Sequence, residues 1–142
     1  MRDELDKLLC ENYPKLFAER NMSPQETAMC WGFECGDGWF NILNTLCSEI
    51  QTHINFHDSM HKRLPDRFDT VEQVVVEQVK EKFGTLRFYY RGGDEYISGL
   101  VNMAEAMSAI TCEACGSSGK LRGKSWYYTA CDEHTKEGDL SE

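Results

Sequence analysis

The feature that most limits what this chain can become lies near its C-terminal end. Cys112-Glu-Ala-Cys115 is followed fifteen residues later by Cys131-Asp-Glu-His134, a C-x2-C-x15-C-x2-H pattern. Two residues between ligands let one tight turn aim both at a single ion. Gly116 lets the backbone double back after the second thiolate. Three thiolates and one imidazole fill a tetrahedral shell and leave no position for water or substrate, which is the donor set of a structural zinc. Zinc is therefore the expected cofactor, with Cys112, Cys115, Cys131 and His134 as its ligands. Between the ligand pairs, Gly116–Gly119 and Gly123-Lys124 are turn signals, and Lys120–Arg122 can pair with the segment Ser125–Thr129. A knuckle, a hairpin and two ligands at a short helix describe a zinc-ribbon or treble-clef-like module over residues 111–138. These residues have little core of their own, so a bound ion would staple them.

The chain has 142 residues, enough for one core with a small module attached. Seven cysteines are an odd number for a disulfide framework, and the acidic start MRDELDKLLC has neither the basic end nor the apolar run of a secretion signal. Cytoplasmic localisation follows as the expectation, with Cys10, Cys30, Cys35 and Cys47 packed as small hydrophobes. Twenty-four acids against fifteen Lys and Arg give a net charge of −9. That balance disfavours nucleic acid and anionic lipid as partners, and no apolar run is long enough for a membrane span. Yet Lys80, Lys82, Arg87, Arg91, Lys120, Arg122 and Lys124, seven of the fifteen bases, fall in two expected hairpins.

The periodicity predicts helices around a hairpin. Asp3–Leu9 reads as a short helix with Leu5, Leu8 and Leu9 inward, interrupted by Pro14. Ser23-Pro24-Gln25-Glu26 is a capping box that predicts a helix to Met29. The three glycines of residues 31–38 predict a loop, with Asp37 as N-cap of a helix over 38–56. Trp39, Ile42, Leu43, Leu46, Ile50 and Ile54 form its apolar stripe. Residues 72–91 read as a β-hairpin turning near Gly84, because the run is β-branched and Leu86, Phe88 and Tyr90 alternate with polar neighbours; a helix over 71–80 is the rival. Asp94 caps a helix to about Ile110 with Ile97, Leu100, Val101, Ala104 and Met107 inward. The class is α+β: a helical and hairpin domain over 1–110 with the zinc-binding module packed on it.

Outside the metal pattern the candidates for chemistry are thin. His53, His57 and His61 are four apart, and would share a face if the long helix reached them. Cys35 and Asp37 have no local pattern that marks a nucleophile or acid, so no catalytic residue is assigned. The two hairpins carry interleaved aromatic and basic residues, which suit either an anion or a protein hot spot. The candidate ligand- or partner-binding residues are Asp37, Trp39, Lys82, Arg87, Tyr89 and Trp126.

The segments CGDGWFNIL at 35–43, KEKFGTLRFYY at 80–90 and TCEACG…WYYTACDEH at 111–134 resemble those of small phage- and prophage-borne proteins of unknown function. The resemblance spans roughly residues 30–135 and implies a phage accessory protein with a terminal zinc-binding module. Accessory proteins of this size commonly counter host defences. The expectation is a non-catalytic inhibitor or adaptor of a host or phage protein. The alternatives are a sponge for a nucleotide-like small molecule and a small metal-dependent hydrolase. A pocket for such a molecule requires Asp37, Trp39, Arg87 and Tyr89 to converge.

Overall fold

A computed structural model describes residues 1–139 of the chain. Its class is α+β, as expected, with three α-helices and two small sheets. Helix α1 (Asp3–Asn12) is followed by turns to residue 28 and a 3-10 turn (Met29–Trp31). Strand β1 (Phe33–Glu34) and a 3-10 turn (Asp37–Trp39) lead into the long helix α2 (Phe40–Arg63). Strands β2 (Val75–Lys82) and β3 (Thr85–Arg91) form the hairpin, and α3 (Glu95–Ser108) follows. The terminal module holds β4 (Lys120–Arg122), β5 (Tyr128–Ala130) and a 3-10 turn over Asp132–His134.

The first sheet has the order β1-β2-β3, with β1 parallel and β3 antiparallel to β2. Its buried face presents Val76, Val79, Leu86 and Phe88 to the stripes of α2 and α3, Leu43, Leu46, Ile50 and Ile97 among them. Strand β3 is an edge, whose unpaired N–H groups would invite another strand. Helix α3 blunts it with side chains. Leu86 N–H donates to Ser108 Oγ at 2.8 Å, and Phe88 N–H donates to Glu105 Oε2 at 2.9 Å. Asp94 caps α3 by accepting from Ile97 N–H at 3.0 Å. The hairpin turns on Phe83-Gly84 with positive φ at both residues, 54° and 85°. That is the sign pattern of the primed two-residue turns, which match the twist of the strands.

Several expectations are corrected. The capping box forms half its bonds, since Ser23 N–H donates to Glu26 Oε2, but no helix propagates. Thr27 Oγ1 instead accepts from Met29 N–H and donates to Glu77 O, which turns the chain toward β2. Residues 33–34, expected as loop, pair as β1. Helix α2 runs to Arg63 rather than stopping near Phe56, because nothing interrupts it before Leu64, whose following Pro65 disfavours helical backbone. Asp37 is not its cap: Trp39 is, without a side-chain bond, and Asp37 accepts from Arg2 N–H at 2.8 Å and pairs with the Arg2 guanidinium. Leu8 and Met107 are exposed, not inward. Residues 75–82 are strand, not the rival helix, with a bulge at Glu77.

Candidate metal centre and the hairpin surface beside it

The four expected ligands come from two tight turns brought together by the small β4–β5 sheet. In the first turn, Cys112 N–H donates to Ser117 O at 2.7 Å and Gly116 N–H to Cys112 O at 2.8 Å. Gly116 has φ 84°, the left-handed backbone that this knuckle requires. In the second, His134 N–H donates to Cys131 O at 3.2 Å, which sets Cys131 and His134 on one side of a single turn. The cross-strand pairs Lys120–Ala130 and Arg122–Tyr128 hold the two turns in register.

The donor atoms of Cys112, Cys115, Cys131 and His134 all lie within 4.8 Å of one another. Cys115 and Cys131 Sγ are 3.7 Å apart, Cys112 Sγ is 3.7 Å from His134 Nδ1, and Cys131 Sγ is 3.1 Å from it. A four-coordinate ion with metal–sulfur bonds of about 2.3 Å has sulfur–sulfur edges of about 3.8 Å. The cluster is thus sized for one tetrahedral ion, and its donor chemistry fits one. Hydrogen bonds to Ser117 bring the Cys115 thiol down to about 6, which favours the thiolate a metal needs, whereas burial pushes Cys131 up. Arg122, itself buried, donates from Nε to Ala130 O and from Nη2 to Asp132 Oδ1, bracing the second turn.

The module is latched to the main core through the glycine-rich loop that precedes α2. Gly36 N–H donates to Glu113 Oε2 at 2.8 Å and Gly38 N–H donates to Glu113 O at 2.7 Å. Trp39 is fully buried and its Nε1–H donates to Thr111 O at 2.9 Å. A second latch joins the hairpins: Thr129 Oγ1 donates to Gly84 O at 2.6 Å. Burial raises the Glu113 carboxyl, a cost that its amide bond from Gly36 partly offsets.

The six candidate binding residues separate. Lys82 and Trp126 line one cavity of about 420 Å³ where the hairpin tips meet, together with Glu81, Phe83, Ser125 and Tyr127. The other four do not converge. Trp39 is core and cannot meet a ligand. Asp37 is taken by Arg2. Arg87 donates to Thr85 Oγ1 and Leu86 O. Tyr89 lines a different cleft, beside Glu19, Glu77 and Arg91, where Arg91 pairs with Glu19. The pocket that a nucleotide-like ligand would need from Asp37, Trp39, Arg87 and Tyr89 is therefore not formed.

Sequence reasoning missed Phe83. Its ring is 67% exposed at the tip of β2–β3, facing the cavity that Trp126, 71% exposed, shares. A bulky residue with positive φ is disfavoured by roughly 1–2 kcal/mol. The sequence signal was Phe-Gly standing where Asn-Gly is the favoured hairpin turn.

The histidines do share one face of α2, as the extended helix brings them together, but they are spoken for. His53 Nε2 lies 2.8 Å from Asp94 Oδ2, His57 Nδ1 3.2 Å from Asp69 O, and His61 Nδ1 2.6 Å from Phe68 O. Among the described residues the four-residue Cys/His cluster is the one group with metal-binding geometry. Cys35 is buried, and burial pushes its thiol up to about 12, so it is no reactive thiolate. No helix among the described residues is long and apolar enough to cross a membrane. Comparison with protein-family models, curated proteins and solved structures finds no match.

Proposed function

We propose that this chain is a non-catalytic protein-binding module of the phage accessory type, an inhibitor or adaptor of a host or phage protein. Its recognition surface is the junction of the β2–β3 and β4–β5 tips, and the ion that holds the junction in place is zinc. The observation that carries this reading is the meeting of Phe83, Trp126 and Tyr127, all exposed, around one cavity rimmed by Lys82 and Glu81. Exposed aromatics grouped at one concave place are what interface hot spots are made of. Phe83 strengthens the reading, because a strained, solvent-facing aromatic contributes nothing evident to folding. Three thiolates with one imidazole suit zinc, and a closed shell gives the ion a structural role. The latches from Gly36 and Gly38 to Glu113 and from Thr129 to Gly84 tie the ion's module to the loop before α2 and to the β2–β3 tip.

The test is capture from host cells with a photo-crosslinking residue at position 125, on the same cavity, in the otherwise wild-type chain and in Trp126→Ala and Phe83→Asn chains. A defined protein should crosslink to the wild type and be lost from both variants, while their zinc content holds and their melting temperature does not fall. Equal recovery by all three proteins, or no specific crosslink, would overturn the proposal.

A further inference from the structure

The four-residue metal cluster has a buried side and a solvent side. Cys112 is fully buried, in a knuckle packed against the loop before α2. Its carbonyl lies so close to Gly38 that a β-carbon added there would sit 2.1 Å away. Trp39 Nε1–H donates to the neighbouring Thr111 O. Cys115, by contrast, is exposed, and Cys131 is half-buried. Residues 114–118, around Cys115, and residues 132–134, after Cys131, are all exposed. At that outer side Cys115 Sγ lies 3.7 Å from Cys131 Sγ.

A closed shell keeps a zinc ion from acting on a substrate, but it does not silence the sulfurs. Cysteines bound to a metal are thiolates, and the thiolate is the form that oxidants attack. Access decides which of several is attacked, because the shell around a site controls what reaches it. The protein wall shields Cys112 and leaves Cys115 outermost. An accessible thiolate with a second cysteine in reach is oxidised to a reversible disulfide. The other cysteines are poorer targets. Cys35 and Cys47 are buried, Cys10 donates to Asp6 Oδ1, and Cys30 is half-buried with no place in the metal cluster.

We infer that Cys115 and Cys131 form a peroxide-sensitive pair through which oxidation discharges the zinc. The inference rests on the zinc reading above. The Cys115 thiolate attacks one oxygen of hydrogen peroxide, the O–O bond breaks, and the departing hydroxide takes up a proton to become water. The Cys131 thiolate then attacks Cys115 Sγ and expels the second oxygen as hydroxide, which a second proton turns to water. Each sulfur has given up one electron, and the peroxide has taken both. Cys112 and His134 are then half of a tetrahedral donor set, too few to keep the ion from solvent. A thiol reductant reopens the disulfide by exchange, and zinc can rebind.

The test uses the zinc-loaded full chain, with its zinc content measured first. Hydrogen peroxide is added in small excess, a chromogenic chelator follows zinc release, and differential alkylation with mass spectrometry locates the oxidised thiols. The expected result is loss of the zinc in step with a Cys115–Cys131 disulfide, while Cys112 stays open to alkylation. Reductant with added zinc should reverse both, and Cys30→Ala should behave as the wild type. A chain that holds no zinc before peroxide removes this inference together with the zinc reading. Where zinc is bound at the start, any of four results overturns this inference alone: zinc retained under peroxide, sulfinic acid at Cys115 without a disulfide, a disulfide that includes Cys112, or release abolished by Cys30→Ala.

Discussion

A β-carbon added at Gly38 would lie 2.1 Å from Cys112 O and 2.6 Å from Glu113 O, both backbone atoms of the metal knuckle. Real contacts of that kind are above about 3.0 Å, so the knuckle must move away by about an ångström. The displacement breaks the 2.7 Å bond from Gly38 N–H to Glu113 O and drags Cys112 from its partners. Overpacking costs roughly 1–3 kcal/mol and an unmade buried backbone bond a further 1–3. Gly38→Ala should therefore destabilise the protein by about 2–6 kcal/mol, a melting temperature lower by about 6 °C or more at this chain length. Affinity for the metal should fall with it, because the ligand pairs separate. The matched control is Gly99→Ala in α3, where the new methyl meets nothing within 4 Å. It should stabilise by about 0.5–1 kcal/mol through helix propensity. The assay is thermal unfolding followed by circular dichroism, with a competing chelator to rank metal affinity. If Gly38→Ala keeps the wild-type melting temperature and metal affinity, the proposed latch does not couple the loop to the metal site.

Phe83→Asn should raise stability by up to about 1 kcal/mol in denaturant titration, since Asn tolerates the left-handed turn, and it should abolish partner crosslinking; a stabilised variant that still binds would remove Phe83 from the surface. Asp94→Ala should cost about 0.5–2 kcal/mol through the lost cap, read by thermal melts. Burial alone would raise the Asp94 carboxyl, but the His53 contact and the Ile97 amide outweigh it and hold the group below 3.8. Its contribution is thus present at neutral pH and lost as the pH falls through that depressed value, so wild-type and Asp94→Ala stabilities should converge in acid. Stripping the metal with a chelator should disorder residues near 111–135 while most helical signal survives, because the main hydrophobic cluster draws on residues 9–104 and none of the module; loss of all helical signal would refute that division.

The elements legible in the sequence were those whose own residues decide them. The ligand spacing, the β-branched alternation of residues 75–91 and the Asp94 cap each specify local structure without help from the rest of the chain. The errors arose where tertiary contacts took over. The capping box at Ser23 was locally sound, but Thr27 is bound to Glu77, fifty residues away. Asp37 had the right place for a cap and was claimed by Arg2 instead, thirty-five residues earlier. Trp39 stood in the sequence both in the apolar stripe of α2 and among the candidate binding residues, and its burial with Nε1–H bound to Thr111 O decides for the stripe. Phe83 was passed over because turn position, not composition, makes it unusual. Of the site, the donor set was fully readable, and the surface next to it only in Lys82 and Trp126.

The account rests on one ion held by three sulfurs and one nitrogen. X-ray absorption at the zinc edge of the purified protein, with elemental analysis, measures this directly. One zinc per chain with about three sulfur neighbours near 2.3 Å and one nitrogen near 2.0 Å is the expected result. A chain that binds no stoichiometric metal, or an ion surrounded by oxygen, would contradict it.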